Sequence, residues 1–284
     1  MSTLNSDVTN AVEIASSGGE SFAIETFGLT RRFGDLTAAN HVSLRVPYGS
    51  IFGLLGPNGA GKSTIIKMLT TLLEPSEGTA SVAGFDIVKA PSQVRRRIGY
   101  VPQALSADGA LTGYENLDLS AKLYGIARAE RKQRIADALQ FMGLTDFGRK
   151  LVKTFSGGMI RRLEIAQAML HRPTVLFLDE PTIGLDPVAR RSVWERLVEL
   201  RANFHMTVLI TTHGMDEAEE LCDRLAIMHL GKIAAVGNPV DLKASVGPEA
   251  TLDDVFVHYS GGTIQEEGNY RDVRATRRTA SRLG

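Results

Sequence analysis

The clearest chemistry in the chain lies in eight consecutive residues, Gly56-Pro57-Asn58-Gly59-Ala60-Gly61-Lys62-Ser63, with Thr64 directly behind them. Glycines at these spacings let the backbone curl until several N–H groups point at one place, and a helix starting there adds its positive end. Together they form a receptor for phosphate oxygens. The run fits G-x-x-x-x-G-K-[ST], in which the lysine meets the β and γ phosphates of a nucleotide and the hydroxyl can ligate Mg²⁺. Lys62 is therefore the candidate for phosphate charge compensation, and Ser63 is a candidate metal ligand.

A second signal is Val175-Leu176-Phe177-Leu178-Asp179-Glu180, an apolar run closed by two acids. A strand ending this way places its carboxylates at the carboxyl end of a sheet, where open α/β folds put ligands. Asp179 would hold Mg²⁺ directly or through water, and Glu180 would orient or deprotonate an attacking water. Taken alone, such a pair is more often a helix N-cap; behind a phosphate loop the catalytic reading leads. No Asn/Thr-Lys-x-Asp element for reading guanine is visible, whereas adenine can be held by stacking on an aromatic ring. Phe33, in Arg31-Arg32-Phe33-Gly34, is a candidate ring, and on its own residues it reads equally well as core or turn packing.

These groups need a scaffold. Ile51 to Leu55 reads as a buried strand, and the helical spacing behind the loop runs from Lys62 to a stop at Pro75. Upstream, Phe22, Ile24 and Phe27, then Val42, Leu44 and Val46, alternate as strands with one covered face. From about 113 to 170 the pattern is helical, including a helix opened by Ser156-Gly157-Gly158. Sheet signals return at 174–178, 206–210 and 225–228, with a helix over 187–200 and a hairpin turn at 229–232. The fold class is α/β: a P-loop NTPase core with a mostly parallel sheet, an N-terminal antiparallel β portion and an inserted helical subdomain over about 104–170. The expected organisation is a loose tail over 1–20, the ATP-binding domain over 21–240, and a short C-terminal extension over 241–284. Within that extension 251–261 reads as a docked helix, and the Arg-containing remainder is expected to be disordered.

Composition by itself does not narrow the function. Lys+Arg and Asp+Glu are both 32 and the formal net charge is zero, so no global field draws the chain to nucleic acid or anionic lipid. No direct nucleic-acid binding is expected. The apolar runs fall far short of the roughly 18 residues that cross a bilayer, and the N-terminus lacks the basic start and apolar stretch of a signal peptide. Cys222 is the single cysteine, which excludes an internal disulfide, agrees with a cytoplasmic location and reads as a buried structural thiol.

Taken together, the motifs over roughly 22–240 resemble the nucleotide-binding subunit of ATP-binding cassette (ABC) transporters. Thr154-Phe155-Ser156-Gly157-Gly158-Met159 looks like the family's Leu-Ser-Gly-Gly-Gln signature, with Phe155 and Met159 departing at its edges. The resemblance implies roles for further positions. Phe33 would stack on adenine. Gln103, in Tyr100-Val101-Pro102-Gln103, would contact Mg²⁺ or water; Gly184-Leu185-Asp186 would cross between two sites; His213 would sense the γ phosphate. It also implies ATP and Mg²⁺, a second ATP-binding cassette subunit, expected as a homodimer whose Ser156, Gly157 and Gly158 face the ATP of the other copy, and integral-membrane permease subunits at the cytoplasmic face of the membrane. Ser156-Gly-Gly-Met159 followed by Arg161-Arg162-Leu163-Glu164, with Pro181-Thr-Ile-Gly-Leu-Asp-Pro187 and Leu252-Asp-Asp-Val-Phe-Val257, is similar to the daunorubicin-resistance and nodulation-type exporter ATPases. Export is thus the leading reading, with an importer ATPase or a ribosome- or DNA-directed cassette as alternatives.

Overall fold

A computed structural model describes residues 21–260; the expected N-terminal tail and the Arg-containing C-terminal stretch lie outside them. In chain order the strands and helices begin β1 (Phe22–Phe33), β2 (Leu36–Pro47), β3 (Ile51–Leu55), α1 (Lys62–Leu69), β4 (Glu77–Val82), β5 (Phe85–Asp86), α2 (Pro91–Arg95) and β6 (Ile98–Val101). Three helices follow, α3 (Gly113–Leu123), α4 (Arg128–Phe141) and α5 (Gly157–Met169), then β7 (Val175–Asp179), α6 (Pro187–Phe204), β8 (Thr207–Thr212) and α7 (Met215–Leu221). β9 (Arg224–His229), β10 (Lys232–Gly237), α8 (Pro239–Val246) and α9 (Leu252–Tyr259) complete the described chain.

Two sheets form. One is antiparallel with order β2-β1-β4-β5; the other runs β10-β9-β3-β8-β7-β6, parallel from β9 to β6 with β10 antiparallel at its edge. The central strands are apolar without alternation because both of their faces are covered. On β3, Ile51 and Leu55 face the helices, while Phe52 and Leu54 face a second cluster shared with α1 and the antiparallel sheet. β7 divides the same way, Leu176 and Leu178 against Val175 and Phe177.

The structure corrects three local expectations. α1 stops at Leu69, well before Pro75: Thr71 takes a left-handed φ of 62°, and the N–H groups of Leu72 and Leu73 both return to the Lys67 carbonyl. Phe27 is 48% exposed because Ile24 and Thr26 face inward, so the period-two alternation of β1, still regular against β4 through Phe27, turns residue 27 outward. Finally, the core does not end near 240. Leu242 of α8 and Leu252, Val255 and Phe256 of α9 join the same apolar cluster as Ile51 and Leu178.

Candidate nucleotide site

Strand register brings the candidate residues to one edge. Leu55 pairs with Thr212, Asp179 with Thr211, and Val101 with Leu178. Continuing those ladders by one or two residues puts Gly56, Gln103, Glu180 and His213 at nearly one level, just past the carboxyl ends of β3, β6, β7 and β8. Ladder geometry has assembled residues far apart in the chain.

The 56–63 loop leads straight into α1. Gly61 caps the helix with φ 103° and no side-chain hydrogen bond, so the first N–H groups, from Lys62 to Thr64, have no intrahelical acceptor and remain open to an anion. Only glycine fits there, since a Cβ would be driven into the Ala38 carbonyl. Pro57, Asn58 and Gly59 are exposed at the rim, whereas Gly56 and Ala60 are buried. Lys62 is buried, its Nζ donating to the carbonyls of Gly56 (2.7 Å) and Pro57 (3.1 Å) and lying 3.3 Å from Glu180 Oε1. Burial is the largest influence on this ammonium and holds its pKa below the ordinary lysine value, with Glu180 and Asp179 pulling the other way.

Asp179 and Glu180 point in different directions for a backbone reason. Asp179 completes the strand, and its Oδ1 accepts from Ser63 Oγ (3.0 Å) and Thr211 Oγ1 (2.6 Å). Glu180 then turns left-handed, φ 46°, a conformation that costs a non-glycine residue on the order of 1 kcal/mol or more. Its N–H is tied to Thr211 through the carbonyl (3.2 Å) and the hydroxyl (3.0 Å). The turn aims the Glu180 carboxylate at Lys62, at Gln103 Nε2 (3.4 Å to Oε2) and at His213 Nδ1 (3.3 Å to Oε2). Neither acid caps the next helix; Asp186 does, accepting from the N–H groups of Val188 and Ala189.

The potential metal donors are a hydroxyl (Ser63), a carboxylate (Asp179) and an exposed amide oxygen (Gln103). An all-oxygen set with few protein ligands suits Mg²⁺, whose remaining positions go to water and phosphate oxygens. The nearby Tyr100 phenol is pushed up to about 12 by burial and by the charge of Asp179. Phe33 is no core residue: it is 45% exposed at the end of β1, with the Arg31 guanidinium 4.7 Å from its ring centroid.

Ser156, Gly157 and Gly158 lie elsewhere. Ser156 caps α5 by accepting from Met159 N, Ser156 and Gly157 are exposed, and Gly158 is buried so close to Ala189 that a Cβ would sit 2.7 Å from the Ala189 Cβ. No hydrogen bond or ion pair among the described residues joins them to the 56–63 loop. Three features of this region had no structural role assigned from the sequence: the Thr211 hydroxyl, the Arg161–Glu164 pair, and Glu217. The buried Glu217 Oε1 accepts from both Thr182 Oγ1 (2.7 Å) and Trp194 Nε1 (2.8 Å), which ties α7 to α6 and to the segment behind Glu180.

Known proteins resemble this chain in sequence and fold. The family described as ABC transporter matches residues 39–183. The daunorubicin/doxorubicin resistance ATP-binding protein DrrA of Streptomyces peucetius is 47% identical over 79% of this chain and 68% of that protein. The chain belongs to the ABC transporter family. The linearmycin resistance ATP-binding protein LnrL of Bacillus subtilis is 38% identical over 81% of this chain and 73% of its own length. A solved ATP-binding subunit of an ABC transporter superposes with a TM-score of 0.74 at 33% identity, covering 84% of this chain and 99% of that one. As an ABC-type ATPase the chain hydrolyses ATP, and no helix among its described residues is long and apolar enough to cross a membrane.

Proposed function

We propose that the chain is the ATP-hydrolysing subunit of an exporter whose membrane-spanning part is a separate protein. One observation carries the catalytic reading: Lys62, Gln103 and His213, from three separate segments, converge on the single buried carboxylate of Glu180. In this reading adenine stacks on Phe33, and the backbone N–H groups of residues 56–64 hold the phosphates. Lys62 turns from the Gly56 and Pro57 carbonyls to the β and γ phosphates. Ser63, Asp179 and Gln103 hold Mg²⁺, which when bound neutralises phosphate charge. Glu180 takes the proton of the attacking water, and His213, 47% exposed, stands where it meets both Glu180 and the γ phosphate.

A second copy completes the site. The start of α5, where Ser156 and Gly157 are exposed ahead of the buried Gly158, offers helix N–H groups to the ATP of the opposite chain, and a homodimer satisfies both sites by one symmetry. The permease, at the cytoplasmic face of the membrane, meets the apolar side chains left exposed on the helical part, among them Leu105, Leu119 and Leu123. Export is favoured because the two curated relatives above are named for drug resistance.

The deciding experiment is to tag the Glu180→Gln chain, extract native membranes gently with ATP present, and identify copurifying proteins by mass spectrometry. A stoichiometric multi-span membrane protein is expected. Recovery only with soluble ribosomal or DNA-bound proteins would remove transport from this account.

A further inference from the structure

Arg161 and Glu164 of α5 form a charged pair that the site above does not use. Nη1 of Arg161 lies 2.9 Å from Oε2 of Glu164, and each side chain is only 2% exposed. Their neighbours Leu163, Ile165 and Ala166 belong to the apolar core. A buried ion pair in such surroundings gains little stability over apolar side chains of similar volume, because desolvation offsets the attraction. Its remaining hydrogen bonds show another purpose, since all of them reach one segment, residues 102–107. Arg161 donates from Nη1 to the Pro102 carbonyl (2.8 Å) and from Nη2 to the Gln103 carbonyl (2.8 Å). Glu164 Oε1 accepts from the N–H and hydroxyl of Ser106 and from the N–H of Ala107 (3.3 Å).

Little else fixes that segment. Residues 103–106 are exposed, and a cavity of about 180 Å³, bordered by Ser106, Tyr124, Glu164 and Gln167, lies beside it. The polar anchors therefore set where Gln103 stands, and Gln103 Nε2 reaches Glu180 Oε2 across 3.4 Å.

We propose that Arg161 and Glu164 are positioning residues for ATP hydrolysis: they clamp the backbone on both sides of the loop so that the Gln103 amide is held against Glu180, and they couple that amide to the helix that starts at Ser156. The proposal rests on reading Gln103 as part of the ATP site. The division of labour follows from side-chain chemistry. A guanidinium fork meets two successive carbonyls at once, which an ammonium does not, and the carboxylate spends one oxygen on Arg161 and the other on the loop N–H groups.

The test uses the full chain carrying Arg161→Met together with Glu164→Met. Both charges leave at once, so none is orphaned in the core. The expected result is a melting temperature within a few degrees of wild type, an ATP dissociation constant within about twofold, and single-turnover hydrolysis of bound Mg-ATP slower by roughly tenfold to a hundredfold. In a Gln103→Ala background the same two substitutions should slow hydrolysis by less than about twofold, because the group they act through is gone. Equal losses in both backgrounds, or no loss in the first, overturn the proposal; a purely structural pair would instead lower rate, affinity and melting temperature together. A Gln103→Ala chain as fast as wild type sinks the reading of Gln103, and the proposal with it. Should the double variant fail to fold, Arg161→Lys makes the same comparison, since it keeps a charge opposite Glu164 while losing the fork.

Discussion

Glu180 Oε1 and Lys62 Nζ stand 3.3 Å apart, and both side chains are almost wholly buried. The carboxylate proposed as the base is thus paired with the cation proposed for phosphate. On that proposal ATP and Glu180 compete for Lys62, and phosphate binding would couple to the readiness of the base.

Glu180→Gln should therefore bind ATP at least as tightly as wild type, since a neutral amide competes weakly for Lys62, while turnover falls by about a hundredfold to ten-thousandfold through loss of the base. Light scattering with and without Mg-ATP should show an ATP-dependent dimer that persists. Steady-state hydrolysis near the wild-type rate would remove Glu180 from the role assigned to it.

The depressed pKa of Lys62 gives two slopes of opposite sign. The folded chain holds this proton less tightly than the unfolded chain, so the lysine's contribution to stability rises as pH climbs through the window below 10.5. ATP affinity moves the other way, because a neutral amine no longer compensates phosphate. Titrating ATP binding from about pH 8 upward should show affinity falling before the ordinary lysine range is reached. Tyr100, at about 12, stays neutral across that window and does not mask the effect. Affinity that is flat up to 10.5 would count against Lys62 as the group being read.

Thr211→Val keeps the shape of the side chain and deletes the 2.6 Å hydrogen bond to Asp179. A carboxylate that loses its orienting partner binds metal less well, and a Mg²⁺ half-saturation higher by about tenfold is expected in ATPase assays, with the ATP site otherwise intact. An unchanged Mg²⁺ requirement would argue that Asp179 is not a metal ligand.

Ser156 and Gly158 separate interface from core two residues apart. Ser156→Arg, which removes an exposed N-cap, should cost about 0.5–2 kcal/mol yet block hydrolysis by filling the seam between two copies. Gly158→Val must push into Ala189 and should cost about 1–3 kcal/mol in denaturant unfolding. If Ser156→Arg hydrolyses ATP normally, the shared-site dimer is the wrong arrangement.

What was legible in the sequence was local. The 56–63 loop could be read because its glycines, cation and hydroxyl are consecutive and each type has one mechanical use. Asp179 and Glu180 could be found by their strand, but their division of labour could not: it depends on the left-handed turn at Glu180, which nothing in the residue types announces. The anchors at Arg161 and Glu164 matched a family pattern without showing what they hold, because their partners lie 58 residues away across the helical part. Phe27 is apolar but of opposite parity to Ile24 and Thr26, so its residue type pointed inward where the strand turns it outward. Helical spacing in α9 likewise indicated an apolar stripe but not that the stripe completes the central core.

Trp194 is the only tryptophan in the chain, and its indole N–H shares one oxygen of Glu217 with the Thr182 hydroxyl. The indole thus donates to α7, which follows His213, and the same Glu217 oxygen holds Thr182 in the turn behind Glu180. A rearrangement of either segment should therefore alter the surroundings of this indole, and its emission is expected to change when ATP is added to the unlabelled protein.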